Sequence, residues 1–93
     1  MHVFVQFYAH LRDLLEKREK IEIELDHNAT VSQLLDVLIL DEKIREHLFD
    51  DAQKLNSEIT VLINGREIKF LEGIDTVLKE GDSVSIFPMV AGG

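Results

Sequence analysis

The sequence predicts an α+β fold in which a mixed sheet of about four to five strands is covered on one face by one main helix. Short runs of alternating apolar and polar residues recur along the chain, as is typical of half-buried strands. Only the segment that starts at residue 30 keeps apolar residues at helical spacing for several turns. With 93 residues and a hydrophobic content of 45%, the chain can bury one compact core and forms one domain.

The first part of the chain is predicted to form a strand, a short helix and a second strand. Residues 3–9 alternate, with Val3, Val5 and Phe7 on one face. Residues 10–17 place Leu11, Leu14 and Leu15 at helical spacing. Residues 21–26 alternate between aliphatic and acidic side chains, which indicates one buried and one solvent-facing side. The short connection favours antiparallel pairing of the two strands.

The main helix is predicted to begin at Thr30. Thr30 and Gln33 fit a capping box, in which each side chain bonds a free backbone N–H at the start of the helix. Apolar residues at helical spacing follow, and others widen the stripe, so this helix should be well buried. The first set is Val31, Leu34, Leu35 and Leu38, and the widening set is Val37, Ile39 and Leu40. A shorter helix is predicted over residues 42–49.

The second part of the chain is predicted to contain three strands. Residues 58–63 form the first, and Asn64-Gly65 marks a hairpin because both residues tolerate the positive φ of a type I′ turn. Residues 71–82 are irregular, and residues 83–87 form the last strand. The first and last strands are apolar enough to lie centrally, as parallel neighbours. This order of elements is the β-grasp arrangement.

Composition limits the classes of function. The net charge of −8 argues against nucleic acid, whose phosphates require a basic surface. No apolar run is long enough to span a membrane, and the first residues lack the order of a signal peptide, so a cytoplasmic protein is expected. Without cysteine there is no disulfide, thiol nucleophile or cysteine-based metal site. The four histidines are expected to be scattered surface residues rather than metal ligands: His2, His10, His27 and His47.

The segment from Ser83 to Gly93 contains no charged residue, although 30% of the chain is charged. Its proline, Pro88, has no N–H for a sheet ladder, and the chain ends on Gly92-Gly93. We therefore predict a domain over residues 1–87 and a flexible tail over residues 88–93. The distinctive chemical group of that tail is the α-carboxylate of Gly93. The alternative is an ordinary frayed terminus.

These residues resemble a known family. The element order and the Gly-Gly end resemble the ubiquitin-like superfamily, and Phe87-Pro88-Met89-Val90-Ala91-Gly92-Gly93 is similar to the tail of the MoaD family, the small subunit of molybdopterin synthase, which typically reads Phe-Pro-Pro-Val-Ala/Ser-Gly-Gly. Residues 7–14 are similar to its Phe-Ala-x-Leu-Arg-Glu segment, and residues 76–84 to its Leu-x-x-Gly-Asp-x-Val segment. Met89 departs from the usual second proline.

The resemblance implies a sulfur carrier. In that family the terminal carboxylate is adenylated with ATP by an E1-like (MoeB-like) activating enzyme and receives sulfur from a donor to become a thiocarboxylate. The large (MoaE-like) synthase subunit then uses this sulfur to build the dithiolene of molybdopterin, the molybdenum or tungsten cofactor. Gly93 would bear the reacting group and Gly92 would give clearance, while partners supply the catalytic side chains. No cofactor would be bound permanently, and no metal.

A partner-binding surface is also predicted. If the core-facing residues of the strands contact the helix, apolar side chains on the opposite sheet face lie where no second helix can cover them, which favours a docking role. The predicted partner contacts are Phe4, Tyr8, Leu62 and Phe87, followed by the tail residues Pro88, Met89, Val90 and Ala91.

Other functions remain open. A sulfur carrier for thiamine synthesis or tRNA thiolation would use the same chemistry. An archaeal-type protein modifier would join Gly93 to lysines of other proteins. A non-covalent β-grasp interaction module would not need the Gly-Gly end, so deletion of Gly93 separates it from the other three.

Overall fold

The computed structural model describes residues 1–88, so the predicted tail residues Met89, Val90, Ala91, Gly92 and Gly93 lie outside the described residues. The elements follow in the order β1 (His2–Phe7), α1 (Ala9–Leu14), β2 (Ile21–Glu24), α2 (Val31–Leu38), α3 (Glu42–Leu48), β3 (Ile59–Ile63), β4 (Arg66–Glu67) and β5 (Ser83–Pro88). Two 3-10 turns, Ile68–Phe70 and Gly73–Asp75, connect β4 to β5. No helix within residues 1–88 is long and apolar enough to cross a membrane.

The five strands form one mixed sheet in the order β2-β1-β5-β3-β4. β1 and β5 are parallel neighbours at its centre, with Val5 beside Val84 and Phe7 beside Ile86. β2 is antiparallel to β1, and β3 is antiparallel to both β5 and β4. The β-grasp prediction is confirmed, including the central parallel pair.

The core lies between one face of the sheet and the helices. Val3, Val5 and Phe7 of β1 are fully buried, and they pack with side chains from α1, α2 and α3. Because apolar side chains of a strand alternate between faces, the sheet contributes every second residue to this core. The core residues of the three central strands are Val3, Val5, Phe7, Ile59, Val61, Ile63, Val84 and Ile86.

Three helices of the described chain cover the sheet, whereas the sequence predicted one main helix: α1, α2 and α3 all contribute buried side chains to the core. The capping box of α2 is present: the backbone N–H of Gln33 donates to Thr30 Oγ1 at 3.3 Å, and the backbone N–H of Thr30 donates to Gln33 Oε1 at 2.8 Å. However, α2 ends at Leu38, so helical spacing no longer applies at Leu40, which is 80% exposed. The expectation that Val37 and Leu40 widen the buried stripe is wrong, because Val37 is 38% exposed on the solvent side of α2. Leu14, at the end of α1, is also half exposed.

The predicted hairpin turn between β3 and β4 is confirmed. Asn64 and Gly65 have φ values of 49° and 84°, which is the left-handed region that a type I′ turn requires. The turn is also fixed to the start of β5. Asn64 Nδ2 donates to Asp82 Oδ1 at 2.9 Å, and the Ser83 N–H donates to Asn64 Oδ1 at 2.9 Å.

Candidate functional site: the open sheet face and the start of the tail

The face of the sheet opposite the helices, here called the outer face, presents the alternate side chains of the central strands. The register places Phe4 beside Ser83, Gln6 beside Ser85, and Thr60 opposite Phe87. These side chains are half-buried or exposed, in contrast to the buried residues of the core face. The outer face therefore combines small polar side chains with a few large apolar ones.

Tyr8 and Phe87 form a stacked aromatic pair on this face. Their ring centroids are 4.4 Å apart and the ring planes differ by 11°. The pairing follows from the parallel register, because Tyr8 directly follows β1, and its N–H donates to the carbonyl of Ile86 at 3.1 Å. Stacked rings present a flat apolar surface while leaving the phenol oxygen polar. The aromatic pair lies immediately before Pro88, at the end of the described chain.

The other two predicted contact residues lie further from Pro88. Leu62 is opposite Ser85, so it is diagonal to Phe87 on the same face. Phe4 is beside Ser83, nearer the opposite end of β5, and the ammonium of Lys20 lies 5.9 Å from its ring centroid. The structure thus brings Tyr8, Phe87 and Leu62 into one neighbourhood and leaves Phe4 at a separate position.

Pro88 is part of the sheet. The sequence predicted that the tail begins at this residue, whereas the structure places Pro88 as the last residue of β5, buried and in register with Ile59. A proline can occupy the end of a strand because the N–H that it lacks is needed only further inside a ladder. The chain therefore stays in the sheet for one residue more than predicted. The division into a domain and a tail is otherwise still a prediction, because residues 89–93 lie outside the described part.

A small cleft borders Pro88 on the other side of β5. It has a volume of about 140 Å³, and its lining includes His10 from α1, His47 from α3, and Asn56 and Glu58 from the loop before β3. This convergence could not be predicted from the sequence, since the two histidines are 37 positions apart on different helices. Within residues 1–88, no group of three or more His, Cys, Asp or Glu side chains has the geometry of a metal site.

The carboxyl groups whose pKa is lowered lie away from the aromatic pair, and their hydrogen bonds stabilise the fold. The backbone N–H of His2 donates to Glu80, and this hydrogen bond lowers the pKa of Glu80. At the start of α3, the backbone N–H of Ile44 donates to Asp41 and lowers the pKa of that carboxyl, with Lys17 adding to the effect. The aromatic pair, by contrast, offers contact area and a phenol hydroxyl.

Comparison with known proteins identifies the family of this chain. Residues 5–93 match the model of the ThiS family. The chain is 35% identical over 94 residues to Small archaeal modifier protein 3 of Haloferax volcanii, with both proteins covered completely.

Solved structures agree with this match. A putative molybdopterin converting factor subunit 1 from Pyrococcus furiosus is 31% identical, with a TM-score of 0.75 over 97% of this chain and 99% of the other. Subunits 1 and 2 of the molybdopterin-converting factor from Helicobacter pylori form a complex in which the matched chain is 26% identical, with a TM-score of 0.69 and complete coverage of both chains. The chain belongs to the ThiS family and has the ubiquitin-like, β-grasp fold of the small sulfur carriers.

Proposed function

We propose that this protein is a sulfur carrier whose reactive group is the C-terminal carboxylate of Gly93. The family match, which extends through residue 93, is the observation that carries this proposal. The position of the outer face supports it, because the aromatic pair lies directly before the segment that would enter a partner's active site. A partner could therefore bind the sheet and the tail together.

The proposed chemistry has two steps. A carboxylate oxygen of Gly93 attacks the α-phosphorus of ATP in an activating enzyme, so that pyrophosphate leaves and an acyl-adenylate forms. Hydrogen sulfide (HS⁻), supplied by a sulfur donor, then attacks the acyl carbon, AMP leaves with the bonding electrons, and loss of the S–H proton leaves a thiocarboxylate. Adenylation is needed because a free carboxylate is a poor electrophile, and AMP is a much better leaving group than oxide.

As acceptor of the sulfur we propose the pterin precursor of molybdopterin, bound to a large synthase subunit. The Phe87-Pro88 sequence before the tail favours this acceptor, as does the similarity to the Pyrococcus furiosus and Helicobacter pylori proteins. The thiocarboxylate sulfur would bond to a carbon of the precursor, and water would then attack the acyl carbon of the resulting thioester, so that the sulfur leaves on the pterin and the carboxylate of Gly93 is restored. The partners are then the large subunit, the activating enzyme and the sulfur donor.

A second candidate is a ubiquitin-like protein modifier. It is favoured by the full-length similarity to the Haloferax volcanii modifier. The first step would be the same, but the ε-amine of a substrate lysine would displace AMP, directly or through a thioester, and form an isopeptide bond. The two functions therefore share the activated carboxylate of Gly93 and differ in the nucleophile that attacks it, which is sulfur in the first and a lysine amine in the second.

Intact mass spectrometry tests the proposal. The full chain is incubated with ATP, an activating enzyme of this family and a sulfur donor, and the expected product has one oxygen replaced by sulfur on Gly93. The matched control is the chain with Gly93 deleted, which should show no such gain. An unchanged wild-type mass, with the activating enzyme active on its own carrier, would refute the sulfur-carrier proposal.

The acceptor is tested next. Adding a large synthase subunit and the pterin precursor to the thiocarboxylated chain should yield molybdopterin and return the original mass. If thiocarboxylate forms but this step fails, while lysates yield lysine conjugates through Gly93, the modifier function is the correct one.

A further inference from the structure

The outer edge of β2 has unpaired backbone groups. β2 pairs with β1 only, and no strand of the described residues lies on its other side. Met1 and Leu25 exchange both of their backbone hydrogen bonds, at 2.7 and 2.8 Å. Because bonded and non-bonded pairs alternate in an antiparallel ladder, the N–H and C=O groups of Glu22 and Glu24 point away from β1. They are free to pair with an added strand.

A groove lies beside this edge, between the end of β2 and α2. Its volume is about 450 Å³, and Leu25, Ala29 and Val37 provide its apolar surface. Leu25 and Ala29 are buried, whereas Val37 is 38% exposed although it belongs to α2. A side chain of an added strand could contact these three residues, since neighbouring strands lie about 5 Å apart and their side chains alternate between faces.

The rim of the groove is acidic. Glu24, Asp26 and Asp36 line it, and no lysine or arginine does. Among residues 1–88, neither Asp26 nor Asp36 takes part in an ion pair, and the partner of Glu24 is His2 at 3.6 Å. Charged side chains on an edge strand prevent pairing with a second copy of the same chain, because like charges would face each other. The same charges attract a basic strand.

We propose that the β2 edge and this groove bind an extended, basic segment of a partner protein, which adds to the sheet as a sixth strand. The backbone groups of Glu22 and Glu24 supply the hydrogen bonds of the new ladder. An apolar side chain of the segment enters the groove against Val37, the lysines or arginines that alternate with it lie beside the exposed side chains of Glu22 and Glu24, and those at the ends of the segment reach Asp26 and Asp36 at the rim. This mode of recognition takes affinity from main-chain bonds and specificity from alternate side chains. It uses a different surface from the outer face.

The probe is the peptide acetyl-Lys-Val-Lys-Val-Lys-amide, titrated into the isotope-labelled full chain and followed by NMR. We expect saturable shifts of the Glu22 and Glu24 amides and of the Val37 methyl groups. The acidic peptide with Glu in place of Lys should cause none. Absence of saturable shifts at millimolar basic peptide, or shifts spread equally over all surface carboxylates, would overturn the proposal.

Two variants separate strand addition from general charge attraction. Asp36→Lys should weaken binding of the basic peptide about threefold or more, whereas Glu46→Lys, which changes the net charge equally on the exposed side of α3, should change it little. Glu24→Pro removes one outward N–H without removing a bond to β1, and should also weaken binding. Equal effects of Asp36→Lys and Glu46→Lys would refute a defined site. Should Glu24→Pro not fold, the same peptide methylated on its backbone nitrogens tests the ladder and should not bind.

Discussion

At the scale of single residues, Asp82 fixes the geometry at the start of β5. It is buried, and both of its carboxylate oxygens accept hydrogen bonds: Oδ1 from Asn64 Nδ2 at 2.9 Å, and Oδ2 from the Lys79 N–H at 2.8 Å. These bonds join the β3–β4 turn, the loop before β5 and the strand that leads to Pro88. The position of β5, which ends at Pro88, therefore depends on a carboxylate that lies just before the start of the strand.

Replacing Asp82 with alanine should destabilise the protein by about 1–3 kcal/mol, since the Lys79 N–H and the Asn64 amide would lose a charged acceptor in a partly buried place. Urea denaturation monitored by circular dichroism gives the free energy of unfolding. Asp51→Ala, in the exposed loop after α3, is the matched control and should change it by less than about 0.5 kcal/mol. Equal effects of the two substitutions would contradict this role of Asp82.

At the scale of elements, local patterns in the sequence predicted most of the fold. Alternation identified β1, β2 and β3, Thr30 and Gln33 gave the start of α2, and Asn64-Gly65 gave the hairpin. Each of these signals acts over a few residues, so it can be read without knowing what lies across the sheet.

Contacts between distant segments were not visible in the sequence. The end of α2 at Leu38, the pairing of Pro88 with Ile59, and the convergence of His10 and His47 each depend on tertiary packing. For the candidate site, alternation correctly placed Tyr8 and Phe87 on one face, but their stacking requires the parallel register of β1 and β5.

The start of α3 gives an element-scale prediction about pH. Asp41 caps this helix: its side chain accepts the Ile44 N–H at 3.1 Å, which lowers its pKa below the ordinary value of 3.8. A carboxyl whose pKa is lower in the folded state stabilises the protein above its unfolded pKa, and this contribution is lost as the pH falls through the folded value. Asp41→Asn keeps a capping oxygen but removes the charge.

We therefore expect Asp41→Asn to be less stable than the wild type at about pH 6 by a few tenths of a kcal/mol, because the half-exposed charge is screened by solvent. The difference should shrink below pH 3.8 as Asp41 becomes protonated. Urea denaturation of both proteins at several pH values measures it. A difference that stays constant down to pH 2 would show that the charge of Asp41 is not responsible.

At the scale of the whole molecule, the strand order separates two surfaces. The aromatic pair lies at the centre of the sheet beside the end of β5, whereas the acidic groove lies at the β2 edge. The proposed sulfur-carrier function assigns the enzymes that handle Gly93 to the first surface. A basic segment at the second could remain bound while the tail reacts, since β1 lies between β2 and β5.

Phe87→Glu tests whether the outer face is used in docking independently of the tail chemistry. It should weaken binding to the large synthase subunit and to the activating enzyme about tenfold or more, because a charge would be desolvated against an apolar contact. Phe70→Glu is the matched control, since Phe70 is 85% exposed in the turn after β4, and it should leave both affinities unchanged. Isothermal titration calorimetry gives the dissociation constants, and thermal melts show that both variants fold.

Deletion of Gly93 should abolish thiocarboxylate formation, while the shortened chain still binds its partners through the outer face. If Phe87→Glu binds as the wild type does, the tail alone is recognised and the outer face is not a docking surface.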